Sequence, residues 1–251
     1  MTLRALITGG QQGIGLGIAE ALADAGFELV LASEQPADAA PVRAGLERLP
    51  AGTRYIRHDL SDLAAIPALM AAAEEAGPLT TLISNAGVPA MQRGDLLDMT
   101  PESFDRCMAV NLRGTFFLAQ AVARSMAARQ SRHYRSLVFV TSVSAELASP
   151  DRAEYCISKA GAAMMVRNFA LRLAPLDIGV FELRPGIIAT PMTAGVRDRY
   201  DARIAEGLVP ANRWGAPADI GAVVAPLVTG RMAFATGAAI PVDGGLSIPR
   251  L

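Results

Sequence analysis

Between Leu3 and Gly26 the chain reads as a strand, a glycine turn and a helix, and this order restricts the fold more than any other stretch. Leu3-Arg4-Ala5-Leu6-Ile7-Thr8 is a short apolar run that ends in Gly9-Gly10-Gln11-Gln12-Gly13-Ile14-Gly15. Ile14, Ile18 and Leu22 then recur on one side of a helix that closes at Gly26. Glycines let backbone approach a ligand closely. A helix start adds free N–H groups and a positive dipole end, so this context suits a phosphate group. The spacing is Gly-x-x-x-Gly-x-Gly, not Gly-x-Gly-x-x-Gly, and a plain glycine-rich turn is the competing reading of the loop alone.

The same alternation continues to the end of the chain. Glu28 to Ala32 reads as a second strand, Pro36 to Leu49 as a helix and Thr53 to Arg57 as a third strand that leads into His58-Asp59-Leu60. A helix over Leu63 to Ala76 precedes a strand at Leu79 to Ser84, which ends in Asn85-Ala86-Gly87. Thr100 and Pro101 read as the N-cap and first position of one long helix reaching Ala127. Asn111 falls near its apolar stripe and therefore needs partners. Gln130 to Arg135 is a polar connection, Ser136 to Thr141 a buried strand, and Asp177 to Leu183 a sixth. Residues 190–210 mix exposed charges with Met192, Val196, Tyr200 and Ile204, as expected of an amphipathic insert covering a site. A helix from Pro217 and a short strand within Ala238 to Gly245 complete the chain. Apolar strands alternating with helices predict a parallel sheet covered on both faces. The early glycine loop selects a doubly wound α/β sheet over a barrel. No linker or repeat interrupts the pattern, so one domain over 1–251 is expected.

Composition narrows the function classes. With 251 residues, 51% of them hydrophobic, and a net charge of −1, the chain offers no electrostatic case for nucleic acid or an anionic membrane. No apolar run approaches a membrane span and no leader pattern is read at the start. Two cysteines make no disulfide framework, which points to a cytoplasmic protein, and the two histidines lack ligand-like neighbours, so no metal is expected.

Chemistry enters at Tyr155-Cys156-Ile157-Ser158-Lys159, where Tyr155 and Lys159 lie one helical turn apart on a shared face. A phenol titrates near pH ~10 in water, and an ammonium group fixed beside it favours the phenolate, as an acid/base working near neutrality requires. Ser142 ends the preceding strand, where a hydroxyl could meet the tyrosine and hold a substrate oxygen. Tyr-x-x-x-Lys alone is more often an exposed helical pair; the upstream elements raise its weight.

Taken in order, Thr8-Gly9-Gly10-Gln11-Gln12-Gly13-Ile14-Gly15, Asp59-Leu60, Asn85-Ala86-Gly87, Asn111, Ser142, Tyr155 with Lys159, and Pro185-Gly186 with Thr190 resemble the single-domain branch of the short-chain dehydrogenases/reductases over essentially the whole chain. Arg213 to Pro217 and Val242-Asp243-Gly244-Gly245 fit as well. Within the family the chain is similar to proteins called 3-oxoacyl-[acyl-carrier-protein] reductases. The resemblance implies a Rossmann sheet of about seven strands and hydride transfer between nicotinamide and a carbonyl or alcohol. It implies Tyr155 as general acid/base, Ser142 on the substrate oxygen, Lys159 on the tyrosine and the nicotinamide ribose, and Asn111 anchoring a relay water. Gly9, Gly13 and Gly15, with Gln12 and Ile14, would face the pyrophosphate. Asp59 and Leu60 would face the adenine, and Asn85, Ala86 and Gly87 the ribose region. Pro185, Gly186, Ile188 and Thr190 would meet the carboxamide. A homotetramer or homodimer is implied too, with the Tyr155 and Asn111 helices at an interface and small residues around Gly161 permitting it.

Ser33 and Glu34 end the second strand, where the adenosine ribose is expected. Neither they nor Gln11 and Gln12 are basic, whereas a 2′-phosphate calls for charge-assisted donors, so NAD is expected over NADP unless Arg57 or Arg43 swings in. Glu146, Leu147, Arg152, Ile187 and Met192 are expected to line the substrate pocket. An acyl-carrier partner needs a basic landing surface; Arg129, Arg132 and Arg135 could supply one, but Asp177 is acidic, so a small-molecule substrate is preferred. A non-catalytic redox sensor and a sugar epimerase are the rival readings. The retained Asn111, Ser142, Tyr155 and Lys159 argue against the first, and the chain length and glycine spacing against the second.

Overall fold

Leu6 and Ile7, adjacent on the first strand, enter opposite cores, and the whole architecture follows from that alternation. In the computed structural model, which describes residues 2–250, seven parallel strands form one sheet in the order β3-β2-β1-β4-β5-β6-β7. They are β1 (Arg4–Thr8), β2 (Glu28–Ser33), β3 (Arg54–Arg57), β4 (Thr81–Ser84), β5 (Arg135–Val140), β6 (Ile178–Pro185) and β7 (Ala239–Val242). Leu6, Val30, Leu82, Leu137 and Val180 stand in register across five strands and face α3 (Ile66–Glu74), α5 (Thr115–Ala127) and α6 (Ala153–Leu173). Their neighbours Ile7, Leu31, Ile83, Val138 and Phe181 face α1 (Gly13–Asp24) and α8 (Pro217–Val228). Burial on both faces is why these strands read as unbroken apolar runs. The remaining helices are α2 (Ala40–Glu47), α4 (Pro101–Cys107) and α7 (Arg197–Ala205).

Glycines set how closely α1 and α8 cross. A Cβ on Gly221 would lie 2.4 Å from the Gly17 carbonyl oxygen, and one on Gly17 would lie 2.5 Å from the Pro217 backbone. This contact holds α1, and with it the glycine loop, against the sheet.

The chain departs from the expected elements where tertiary contacts intervene. The second helix is shorter than Pro36 to Leu49. The long helix from Thr100 is divided into α4, a π turn over Met108–Gly114, and α5. Thr100 does cap α4, accepting from Ser103 N at 3.3 Å. Within the wide turn the Thr115 hydroxyl donates to the Val110 carbonyl five residues back, and Gly114 packs so tightly that a Cβ would meet the Leu60 carbonyl at 2.0 Å. Such wide turns often mark functional positions; Asn111 sits in this one. Asp177, at φ 54°, turns the chain ahead of β6 rather than joining it. Residues 190–210 form a 3₁₀ turn (Pro191–Val196) and α7, of which only Ile204 is buried.

Candidate active site

Strand order reverses between β1 and β4, so the loops leaving their carboxyl ends part and open a crevice, the place where such sheets bind ligands. Asn85 and Thr8 brace its floor. The Thr8 hydroxyl accepts from the backbone N–H groups of Asn85 and Ala86, both at 3.0 Å, and the Asn85 side chain donates to the carbonyls of Thr8 (3.0 Å) and Gly9 (3.2 Å). The Asn85 amide thus ties β4 to the glycine loop rather than reaching outward.

The cleft encloses about 1130 Å³. Gly9, Gln12, Gly13 and Ile14 form its wall at the start of α1. Gly9 (φ 66°) and Gly13 (φ 54°) hold backbone shapes that L side chains rarely adopt. Gln12 makes no side-chain cap and no acidic residue stands in the first turn, so the N–H end of α1 is open to an anion. Gly15, expected to face the same ligand, lies outside the wall. A Cβ there would sit 2.1 Å from the Gly9 carbonyl oxygen, so its part is to let the loop fold back on the helix. Ser33, Glu34, Asp59 and Leu60 line the cleft too, as do Asn85, Ala86 and Gly87, and Pro185, Gly186, Ile188 and Thr190.

At the strand end Ser33 is buried and shares a 2.6 Å hydrogen bond with the phenol of Tyr55, which donates to the Gln35 carbonyl at 2.6 Å. Burial raises the Tyr55 pKa. Glu34 is exposed at the rim. Arg57 donates from Nε to its backbone carbonyl at 3.1 Å and does not line the cleft; neither does Arg43.

Ser142, Tyr155 and Lys159 all line this cleft. Lys159 is 6% exposed; its Nζ donates to the Val140 carbonyl at 3.1 Å and lies 5.6 Å from the centre of the Tyr155 ring. Ser142 Oγ accepts from Ser144 N at 3.0 Å. Asn111, 2% exposed, does not reach the cleft wall. Its Oδ1 accepts from Val88 N (2.8 Å), while Nδ2 donates to the Val88 carbonyl and to Ser158 Oγ, each at 3.0 Å. It stands just behind: a Cβ on Gly87 would come 3.1 Å from Asn111 Oδ1 and 3.4 Å from Lys159 Nζ. Val88, Val140 and Ser158 therefore belong to the site's frame. No sequence signal marks the first two, because they act through backbone atoms.

Leu147, Arg152, Ile187 and Met192 line the cleft as expected, but Glu146 does not. Its carboxylate pairs with Arg184, which also holds the buried Glu182, and Glu182 followed by Glu146 raises the guanidinium's pKa. Three buried polar atoms without partners among the described residues, Gln11 Oε1, His58 Nε2 and Arg152 Nε, belong to residues of the wall, and burial lowers the His58 pKa. Open α1 N–H groups, glycine approach and orphaned polar atoms fit a dinucleotide. Among the described residues no cluster of His, Cys, Asp or Glu could hold a metal ion, and no helix is long and apolar enough to cross a membrane.

Comparison with known proteins agrees with this fold. A family model described as Enoyl-(Acyl carrier protein) reductase matches residues 9–247. The chain is 34% identical to a 3-oxoacyl-[acyl-carrier-protein] reductase of Mycobacterium bovis, covering 97% of this chain and 92% of that one. It is 32% identical to the gluconate 5-dehydrogenase of Gluconobacter oxydans over 98% of this chain and 94% of that one. A solved 3-oxoacyl-[acyl-carrier protein] reductase of Brucella melitensis in complex with NAD superimposes with a TM-score of 0.95 at 48% identity, covering 100% and 99% of the two chains.

Proposed function

The chain belongs to the short-chain dehydrogenase/reductase family and is an NAD(P)-dependent oxidoreductase acting on CH–OH or carbonyl groups, and we propose that Tyr155 is its general acid/base. The observation that carries this reading is the convergence of Ser142, Tyr155 and Lys159 in one cleft with Asn111 braced directly behind them. Nicotinamide, when bound, supplies or accepts the hydride. Ser142 accepts a backbone N–H, which leaves its own proton to donate to a substrate oxygen. Tyr155 gives that oxygen a proton in reduction and takes one in oxidation. Lys159 uses one of its three donors on Val140, and its charge stabilises the phenolate left when the proton departs. Asn111 has its whole side chain engaged, so a relay water would be held by its main chain.

Tyr155→Phe tests this: kcat should fall ~100- to 10,000-fold while cofactor still binds. Retention of more than a tenth of wild-type kcat would remove Tyr155 from the role.

Gly9, Gln12, Gly13 and Ile14 would cradle the pyrophosphate. Ser33, Glu34, Asp59 and Leu60 would hold the adenosine side, and Pro185, Gly186, Ile188 and Thr190 the nicotinamide side. NAD is the preferred cofactor, because Glu34 lines the cleft where a 2′-phosphate would lie, while Arg57, bonded through Nε to the Glu34 carbonyl, does not line it. The protein works as one domain, with residues 190–210 covering the substrate.

Reduction of a 3-oxoacyl group on a carrier protein is the second reading, favoured by the names of the Mycobacterium and Brucella relatives. Against it, two of the three arginines that could form a landing surface are already engaged within the chain. Arg129 pairs with Glu74, and Arg135 donates to the carbonyls of Met126, Arg129 and Leu176. A cytoplasmic location is the reading that the free Cys107 and Cys156 support. A homo-oligomer is favoured by Ile157, Met164 and Leu171, an exposed apolar stripe along α6, beside Phe117 of α5. Gly161, half-buried between Ile157 and Met164, also packs against Leu112, which a Cβ there would meet at 3.0 Å.

A further inference from the structure

Beside Tyr155 the cleft carries an excess of positive charge. Arg93, Arg152, Arg199 and Arg203 all line it, the first three close enough to act on the Asp151 carboxylate, while Asp105 and Arg106 add one charge of each sign. Asp151 is already occupied: it accepts from Ser149 and forms a 3.4 Å ion pair with Arg93. The Ser149 hydrogen bond, then the charges of Arg93, Arg152 and Arg199, hold its carboxyl below the usual range. One acid cannot neutralise these arginines.

Arg152 is the member set closest to the chemistry. Its guanidinium carbon lies 5.3 Å from the centre of the Tyr155 ring, and Nη2 donates to Ser144 Oγ at 3.0 Å, two residues from Ser142. Its Nε is buried and has no hydrogen-bond partner among the described residues. A buried charged donor without an acceptor is costly, so the side chain is set for an acceptor of opposite charge. Arg152 also stands at the N-cap of α6 with no side-chain cap, where the dipole of a 21-residue helix adds to the positive field. The first-turn acid, Glu154, does not line the cleft: it is buried and takes a hydrogen bond from Ser103 at 2.5 Å.

From these relationships we propose that the substrate is a short hydroxy or oxo acid whose carboxylate is bound by Arg152, within a few carbons of the carbinol handled by Tyr155. A planar guanidinium matches a carboxylate, which makes Arg152 a determinant of specificity beside the proton-transfer pair. The proposal rests on the reading of this cleft as the alcohol/carbonyl site.

The test uses C4–C6 2- and 3-hydroxy acids, each beside its methyl ester, with the full-length wild type and the variants Arg152→Gln and Arg152→Lys at saturating NAD. Initial rates and Tm are both read. For the wild type, at least one acid should exceed its ester ~100-fold in kcat/KM and raise Tm where the ester does not. In Arg152→Gln that ratio should collapse to within about threefold. Arg152→Lys should keep part of it, which separates loss of charge from loss of fold. Esters turned over as well as acids, or a ratio unchanged in Arg152→Gln, would overturn the carboxylate site and leave the hydride-transfer reading standing. Acids that raise Tm only when Arg152 is present, with no turnover of any pair, would uphold the site and overturn hydride transfer instead. Neither turnover nor a Tm shift counts against the site.

Discussion

Arg184 lies against Glu182, two residues earlier on β6, with Nε to Oε1 at 2.7 Å and Nη2 to Oε2 at 3.1 Å, and Glu182 is only 1% exposed. The same carboxylate accepts from Thr141 Oγ1 at 2.7 Å, and the same guanidinium pairs with Glu146. The segment Thr141 to Glu146, which carries Ser142, is therefore held at both ends by one buried ion pair.

Breaking that pair from one side leaves a charge uncompensated in the core. Arg184→Met should destabilise the protein by ~3–5 kcal/mol in urea unfolding, and the double change Glu182→Leu with Arg184→Met by much less. A double variant as unstable as the single one would show that the pair has a stabilising value beyond self-compensation.

Gly15 and Gly26 offer a contrast between crowding and backbone freedom. Gly15→Ala drives a Cβ to 2.1 Å from the Gly9 carbonyl oxygen, so the loop must shift and cofactor binding should weaken ~tenfold or more. Gly26 has φ 81° with nothing within 4 Å of a Cβ; Gly26→Ala should cost ~1–2 kcal/mol and leave cofactor affinity unchanged. Isothermal titration and urea unfolding separate the two.

Cofactor choice should follow Glu34. Wild type should show the higher kcat/KM with NAD, and Glu34→Arg should shift the NAD-to-NADP ratio by ~tenfold or more towards NADP, because the new guanidinium can take a 2′-phosphate. A wild-type preference for NADP would mean that an arginine outside the cleft, such as Arg57, moves in to govern the pocket.

Asp219 gives a pH-dependent term at the start of α8. Arg213 donates to both of its oxygens (2.7 and 3.0 Å), Ala216 N donates to one (2.7 Å), and these lower its pKa to about 2. A folded-state pKa below the unfolded one stabilises the protein above the unfolded value and loses that contribution as pH falls through the folded value. The Tm gap between wild type and Asp219→Asn should thus be constant near neutrality and shrink from pH ~4 downward. A gap independent of pH across that window would assign the effect to packing.

Much of the fold was readable because its signals are local. Apolar runs at β1, β4 and β5 reflect burial on both faces, and glycines at 9 and 13 reflect backbone angles set within a few residues. The order of short motifs along the chain likewise pointed to the family. Boundaries failed where a distant group acts: the helix from Thr100 divides at the turn where Gly114 packs against the Leu60 carbonyl, a contact no periodicity encodes.

The candidate site divides in the same way. Ser142, Tyr155 and Lys159 could be named from spacing, since a strand end and one helical turn determine where they stand. Packing alone decided that Asn111 would be locked to Val88 and Ser158, that Gly15 would turn from the cleft, and that Glu146 would leave it for Arg184. Packing also brought Arg93, Arg152 and Arg199, from three separate segments, close to Asp151. The physical reason is range: helix and strand periodicity act over a few residues, whereas burial and charge act between whatever the closed sheet brings together.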